Sequence, residues 1–149
     1  MALIGLRALR DAPIVRLVNT VVTGVLRSPI HRVLSGAVDV IRYTGRRSGR
    51  RYSTPTQYVQ HGDDVLILAG RSDDKTWWRN FRTDRDLEVL IRGEWRPMTG
   101  RAVVGADDPD AVSPLLDAYL ERFPKAAGSL GPDRETRLRR AVVVRCRPR

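Results

Sequence analysis

The sequence contains little that could bind a metal ion or cross-link the chain. Cys146 is its only cysteine, so no intrachain disulfide can form, which suits a reducing compartment. His31 and His61 are the only histidines, and with one cysteine they show no ligand-like spacing, so no metal site is expected. Long apolar runs are also missing. The longest mainly apolar stretch near the start, Leu17 to Leu26, is too short to span a bilayer and has arginine at both ends. No secretory pattern of basic, apolar and small-residue regions is found, nor any low-complexity tract or internal repeat. A cytoplasmic location is therefore expected. Lysine is nearly absent too. Of 27 basic residues only Lys75 and Lys125 are lysines, so the net charge of +10 comes almost wholly from arginine.

What is present fits one domain, residues 1–149, long enough to bury a core. A charge of this size favours anionic partners: nucleic acid, an acidic lipid surface, or a small molecule bearing phosphate or carboxylate. Residues 3–34 place Leu6, Leu9, Ile14, Leu17, Val18, Val21, Val22, Val25 and Leu26 at largely helical spacing, with Ser28-Pro29 as a break. Such a helix either packs its apolar face on the domain or lies in an interface with lipid or a lipophilic substrate.

From residue 38 the pattern turns to β. Val38–Thr44, Thr54–His61 and Val65–Ala69 read as strands, with Gly62-Asp63-Asp64 as a turn. Lys75–Arg82 reads as one or two helical turns. Leu87–Arg92 and Trp95–Val104 flank Gly93-Glu94, a Gly-first loop suited to a tight hairpin. Asp107-Asp108-Pro109 starts a helix to about Phe123, Pro124 ends it, and Val142–Arg147 is a final strand. Short strands interrupted by helices, without βαβ rhythm, predict an α+β fold: a small antiparallel split β-barrel with flanking helices and an N-terminal helix.

Two stretches carry chemistry. The turn between Thr44 and Arg51 sets Gly45, Ser48 and Gly49 among Arg46, Arg47, Arg50 and Arg51. Glycines let backbone N–H groups approach an anion, and guanidinium forks bind phosphate or carboxylate in pairs. It is not a Walker loop, since the Gly-Lys-Ser/Thr ending is missing. On physical grounds an exposed basic hairpin and an anion site both remain open. The second stretch is Lys75-Thr76-Trp77-Trp78-Arg79-Asn80-Phe81. Neighbouring tryptophans on a helix diverge by about 100°, so one can enter the core while the other faces outward or walls a cleft. Asn80 then either orients a polar ligand or caps.

Gly-Arg-Arg-Ser-Gly-Arg (45–50), Thr54-Pro55, an apolar hairpin and then Trp-Trp-x-Asn-Phe (77–81) together resemble the deazaflavin-dependent nitroreductase family, split-barrel oxidoreductases of actinobacteria. The resemblance runs from about Ser28 to Val104. It implies coenzyme F420, a deazaflavin with a phosphate and an oligoglutamate tail. Arg46, Arg47, Ser48 and Gly49 fall on the family's phosphate-binding turn, and Pro55 on the position that packs near the ring. Ala69 and Gly70 match the strand end that lines the ring, while Trp77, Trp78 and Asn80 match the cofactor wall. The family often has Pro-Arg-Arg before Thr-Pro, where this chain has Arg51-Tyr52-Ser53, so Arg50 or Arg51 takes over an arginine's place. Trp78 stands for the common tyrosine and Phe81 for a leucine. The nitroreductase branch places tyrosines in a C-terminal segment to shape the substrate pocket, where this chain has Tyr119 alone.

The resemblance implies hydride transfer between reduced F420 and a small, lipophilic acceptor: a quinone, an activated alkene or a nitro compound. The cofactor carries the chemistry, and no catalytic residue is named. A homodimer and peripheral membrane contact through the N-terminal helix are compatible with this reading, and nucleic acid is not an expected partner. Two alternatives stand beside it. One is a split-barrel reductase or oxidase that binds FMN. The other is a non-enzymatic basic module for nucleic acid, against which the arginines are scattered and do not alternate with aromatic residues.

Overall fold

The computed structural model describes residues 38–69 and 75–149. The expected N-terminal helix and Gly70 lie outside the described residues. Seven strands, β1 (Val38–Thr44), β2 (Arg51–Gln57), β3 (Val59–His61), β4 (Asp64–Leu68), β5 (Arg85–Ile91), β6 (Glu94–Val104) and β7 (Val142–Pro148), form one sheet. Its order is β2-β1-β5-β6-β7-β4-β3, with every neighbouring pair antiparallel. β2 and β3 stand at opposite ends of that order, yet Tyr58 alone separates them in the chain. The sheet therefore has to curl until its two edges approach. The result is the α+β split barrel that the sequence predicts, with helices α1 (Pro109–Arg122), α2 (Ala126–Leu130) and α3 (Arg134–Arg140) beside it.

Strand alternation builds two main cores and a small third cluster of Val40, Leu90 and Trp95. Ile41, Tyr43, Val65, Ile67, Leu87, Val89, Ile91, Met98, Val142, Val144 and Cys146 fill the interior with Trp77, Trp78 and Phe81. On the other face of β4 and β7, Leu66 and Val143 meet Val112, Leu115, Leu116 and Tyr119 of α1 and Leu130 of α2. Each such side chain contributes about 1.5–3 kcal/mol when fully buried. The start of α1 follows from its sequence. Pro109 supplies the first helical φ, and the Asp108 carboxylate accepts from Ala111 N–H at 3.0 Å.

Three local expectations change. The predicted strand Thr54–His61 begins earlier and is broken at Tyr58, which turns into the interior where the chain passes from one sheet edge to the other. The hairpin loop is Arg92-Gly93, not Gly93-Glu94, because Ile91 pairs with Glu94. Both loop residues have positive φ, 51° and 80°. This is the turn whose twist matches the flanking strands, and it outweighs the cost of a left-handed arginine. Helices α2 and α3 carry no sequence signal of a buried stripe: Leu130 is the one buried side chain of α2, and α3 has none.

One polar group sits inside. Asp39 is fully buried on β1; Thr56 donates to its Oδ1, and Oδ2 has no hydrogen-bond partner. Burial pushes its carboxyl up to about 7 against the opposing pull of the Thr56 bond. Tyr58, Tyr119 and Cys146 feel its charge, and burial pushes all three upward, so they stay neutral around pH 7. The folded-state value lies above the ordinary 3.8. Its stabilising contribution is thus complete below that ordinary value and is lost as pH rises through about 7. Between pH 5 and 8 the protein is expected to lose about 1–3 kcal/mol of stability, and Asp39→Asn should flatten that decline. Urea denaturation across the range measures it; parallel profiles for the two proteins would exclude the assignment.

Candidate functional site

The basic turn is closed by its own backbone. Gly45 N–H donates to the Arg50 carbonyl at 2.8 Å, and Gly49 N–H donates to the Gly45 carbonyl at 3.0 Å. Gly49 has φ 67°, a left-handed conformation that favours glycine. Gly45 is held by space instead: a Cβ there would lie 2.7 Å from Cε2 of Tyr52 and 2.8 Å from Oγ of Ser48. Ser48 Oγ accepts from Arg50 N–H at 3.2 Å and lies 3.0 Å from the Tyr52 hydroxyl. The turn is thus rigid before any ligand arrives.

The second motif forms the 3-10 helix Trp77–Phe81. Both indoles are buried, so neither faces outward. Phe81 packs edge-on to Trp77 at 6.2 Å and to Tyr43 at 5.5 Å, and Tyr43 lies 5.7 Å from Tyr52. These aromatic contacts lead from the helix back to the turn. Asn80 completes the link. Its Oδ1 accepts from Arg46 N–H at 2.8 Å, while its Nδ2 donates to the Trp77 carbonyl at 2.8 Å. Orienting and capping are therefore one role, directed at the protein's own backbone.

Of the expected site residues, Arg46 and Asn80 meet directly, and that bond joins the turn bearing Arg47, Ser48, Gly49 and Arg50 to the helix bearing Trp77 and Trp78. Ala69 is buried just beyond β4, with its N–H donated to the Val142 carbonyl at 2.8 Å. Pro55 is exposed and sits opposite Val40, on the sheet face away from Tyr43 and the interior indoles. Tyr119 packs between α1 and the sheet, and burial pushes its phenol up to about 12, so it stays protonated inside the helical layer. Arg79, within the second motif, and Arg82, one residue beyond it, were not singled out from the sequence, although both sit over Trp78.

Charge pairing separates the turn from the arginines of β6 and β7. Arg145 pairs with Asp64 at 2.7 Å, Arg147 with Asp84 at 3.3 Å, Arg101 with Asp84 at 3.4 Å and Arg149 with Asp86 at 3.2 Å. Arg51 is taken up as well: it meets Glu88 at 2.6 Å, and Arg42 holds the same carboxylate with bonds of 3.2 and 2.9 Å. The Arg42 hydrogen bond holds the Glu88 carboxyl below its ordinary range. Among the described residues no carboxylate pairs with Arg46 or Arg47. Two exposed guanidinium groups on a rigid turn, with no acid from the described residues to compensate them, fit an anionic ligand.

Comparison with solved structures places the fold in a class. FDR-A, an F420-H2-dependent reductase, superposes with a TM-score of 0.55 at 18% identity over 74% of this chain and 93% of its own. The haem storage protein HutZ of Vibrio cholerae gives 0.52 at 13% identity over 83% and 90%. These likenesses show the shared split barrel, and the cofactors of the two proteins differ. The sequence decides further. The model of the F420H(2)-dependent quinone reductase family matches residues 15–121, and the chain belongs to that family. It is an F420-dependent oxidoreductase. Rv3178 of Mycobacterium tuberculosis, provisionally named an F420H(2)-dependent quinone reductase, is 29% identical over 87 residues, 55% of this chain and 71% of its own.

Asn80→Ala is expected to cost about 1–3 kcal/mol, because it strands the Arg46 N–H and the Trp77 carbonyl together. Chemical denaturation measures the loss, and an unchanged midpoint would show that the two motifs hold without the bridge.

Proposed function

We propose that the protein reduces quinones at the expense of reduced F420, and that the turn Arg46–Arg50 is where the cofactor's anionic end is held. The observation that carries this reading is the pair Arg46 and Arg47, without a carboxylate partner among the described residues, on a turn fastened by Asn80 to the tryptophan motif. The family description and the mycobacterial relative support a quinone as acceptor. Activated alkenes and nitro compounds remain substrates to compare with it.

When bound, reduced F420 supplies a hydride at C5. The chain's own residues bind and orient. Arg46 and Arg47 neutralise phosphate and carboxylate, and Gly49 leaves the backbone beside them uncovered: a Cβ at that position would meet nothing within 4 Å. Asn80 fixes the Arg46 N–H, so the turn loses little freedom on binding. Trp77, Trp78 and Phe81 keep water from the wall behind the turn. Of the earlier ring-lining expectations, Ala69 lies at the barrel interior and Pro55 on the outer sheet face, so the two serve different sides of β1.

Fluorescence titration should give F420 binding at micromolar affinity or better. Arg46→Ala/Arg47→Ala should weaken it at least about tenfold and reduce its salt dependence. Absence of F420 binding by the wild-type protein would remove the reading. With reduced F420 supplied, a quinone should be turned over faster than a nitro compound of similar size; the reverse order would reassign the acceptor.

A further inference from the structure

Gly100 stands in the middle of β6, opposite Arg85 of β5 and Cys146 of β7. Glycine weakens a strand interior, and the backbone here is not left-handed, so conformational freedom does not explain it. Space does. A Cβ at Gly100 would lie 2.9 Å from Cδ1 and 3.2 Å from Cε1 of Phe81, and 3.0 Å from Cδ2 of Leu87. The bare backbone of β6 is thus the seat of the Phe81 ring.

The ring is confined on other sides as well. Phe81 is fully buried, and Tyr43 and Trp77 meet it edge-on at 5.5 and 6.2 Å. Side chains packed this densely pass a displacement on to their neighbours. A methyl group at position 100 would therefore push the ring and, with it, the main chain at the end of the 3-10 helix. Asn80 directly precedes Phe81 in that helix. Its side chain is bonded at both ends, to the Arg46 N–H and to the Trp77 carbonyl, each at 2.8 Å. Such bonds weaken steeply when they are stretched or tilted.

We propose that Gly100 is a positioning residue for the anion site. Its missing side chain sets how deeply Phe81 seats on β6, and that depth aligns Asn80 with the backbone of Arg46. The assignment rests on the reading of Arg46–Arg50 as the place where the cofactor's anionic end is held. Gly100 acts at second hand, through Phe81 and Asn80, so its substitution changes the placement of the turn and leaves the chemistry of the binding groups intact.

Three measurements on Gly100→Ala test this. Hydrogen exchange of the Arg46 amide, read without any ligand, should speed up at least about fivefold as its bond to Asn80 loosens. F420 affinity should fall about tenfold, because the turn is no longer held in its binding geometry. KM for F420 should rise with kcat unchanged at saturation, a split that a general loss of folded protein does not produce. Gly100→Ala/Phe81→Leu, with a smaller side chain facing the new methyl, should regain most of the affinity and the slow exchange. Phe81→Leu alone leaves a gap over Gly100 and should bind F420 more weakly than that double variant. This comparison serves where Gly100→Ala does not fold. An Arg46 amide that exchanges at the wild-type rate in folded Gly100→Ala would overturn the inference. So would a loss that Phe81→Leu leaves unrecovered, or unchanged F420 affinity in Gly100→Ala while Arg46→Ala/Arg47→Ala weakens it. Failure of the wild type to bind F420 would instead fell the reading of the turn, and the exchange rates would still decide the role of Gly100.

Discussion

One amide side chain joins the two halves of the site. Asn80 accepts from the backbone of the basic turn and donates to the backbone of the tryptophan helix, so segments 34 residues apart in the chain share a single hydrogen-bonded unit. No other residue type of that size offers an acceptor and a donor on one planar group. Asp would repel the Trp77 carbonyl, and Leu would leave both backbone groups unpaired. The aromatic contacts from Tyr52 through Tyr43 and Phe81 to Trp77 form a second, apolar connection between the same parts. The turn is thereby held by packing as well as by hydrogen bonds.

Charge pairing distinguishes the strand arginines from Arg46 and Arg47 of the candidate site. Along β6 and β7 the guanidinium groups meet Asp64, Asp84 and Asp86, and the field there is largely cancelled at short range. Exposed pairs of this kind add little stability. They do reduce the net positive charge along these two strands.

Much of this could be read from residues in order. β1 was legible to its last residue because Val38, Val40, Ile41 and Tyr43 give a dense β-forming run bounded by a Gly-Arg turn. The start of α1 was legible because Asp108-Pro109 combines a cap with a preset φ. Other features depended on distance in the chain. Nothing near Asn80 announces Arg46 as its partner, and nothing near Asp39 tells that Thr56 and Tyr58 close over it; alternation alone would place an aspartate in a strand toward water. The burial of both tryptophans depends on the sheet curling around them. The hairpin turn was displaced by one residue because strand register, set by Leu87, Val89 and Ile91 facing inward, overrode the preference for glycine at the first loop position.

The position of β7 has a consequence for how the chain is made. It lies between β6 and β4, and it is the only strand that joins the two halves of the sheet. During synthesis, residues 38–141 emerge with the facing edges of β4 and β6 both bare. Each is a template for foreign strands until residues 142–148 arrive and slot between them. A chain that ended before β7 would therefore present a pair of adhesive ribbons.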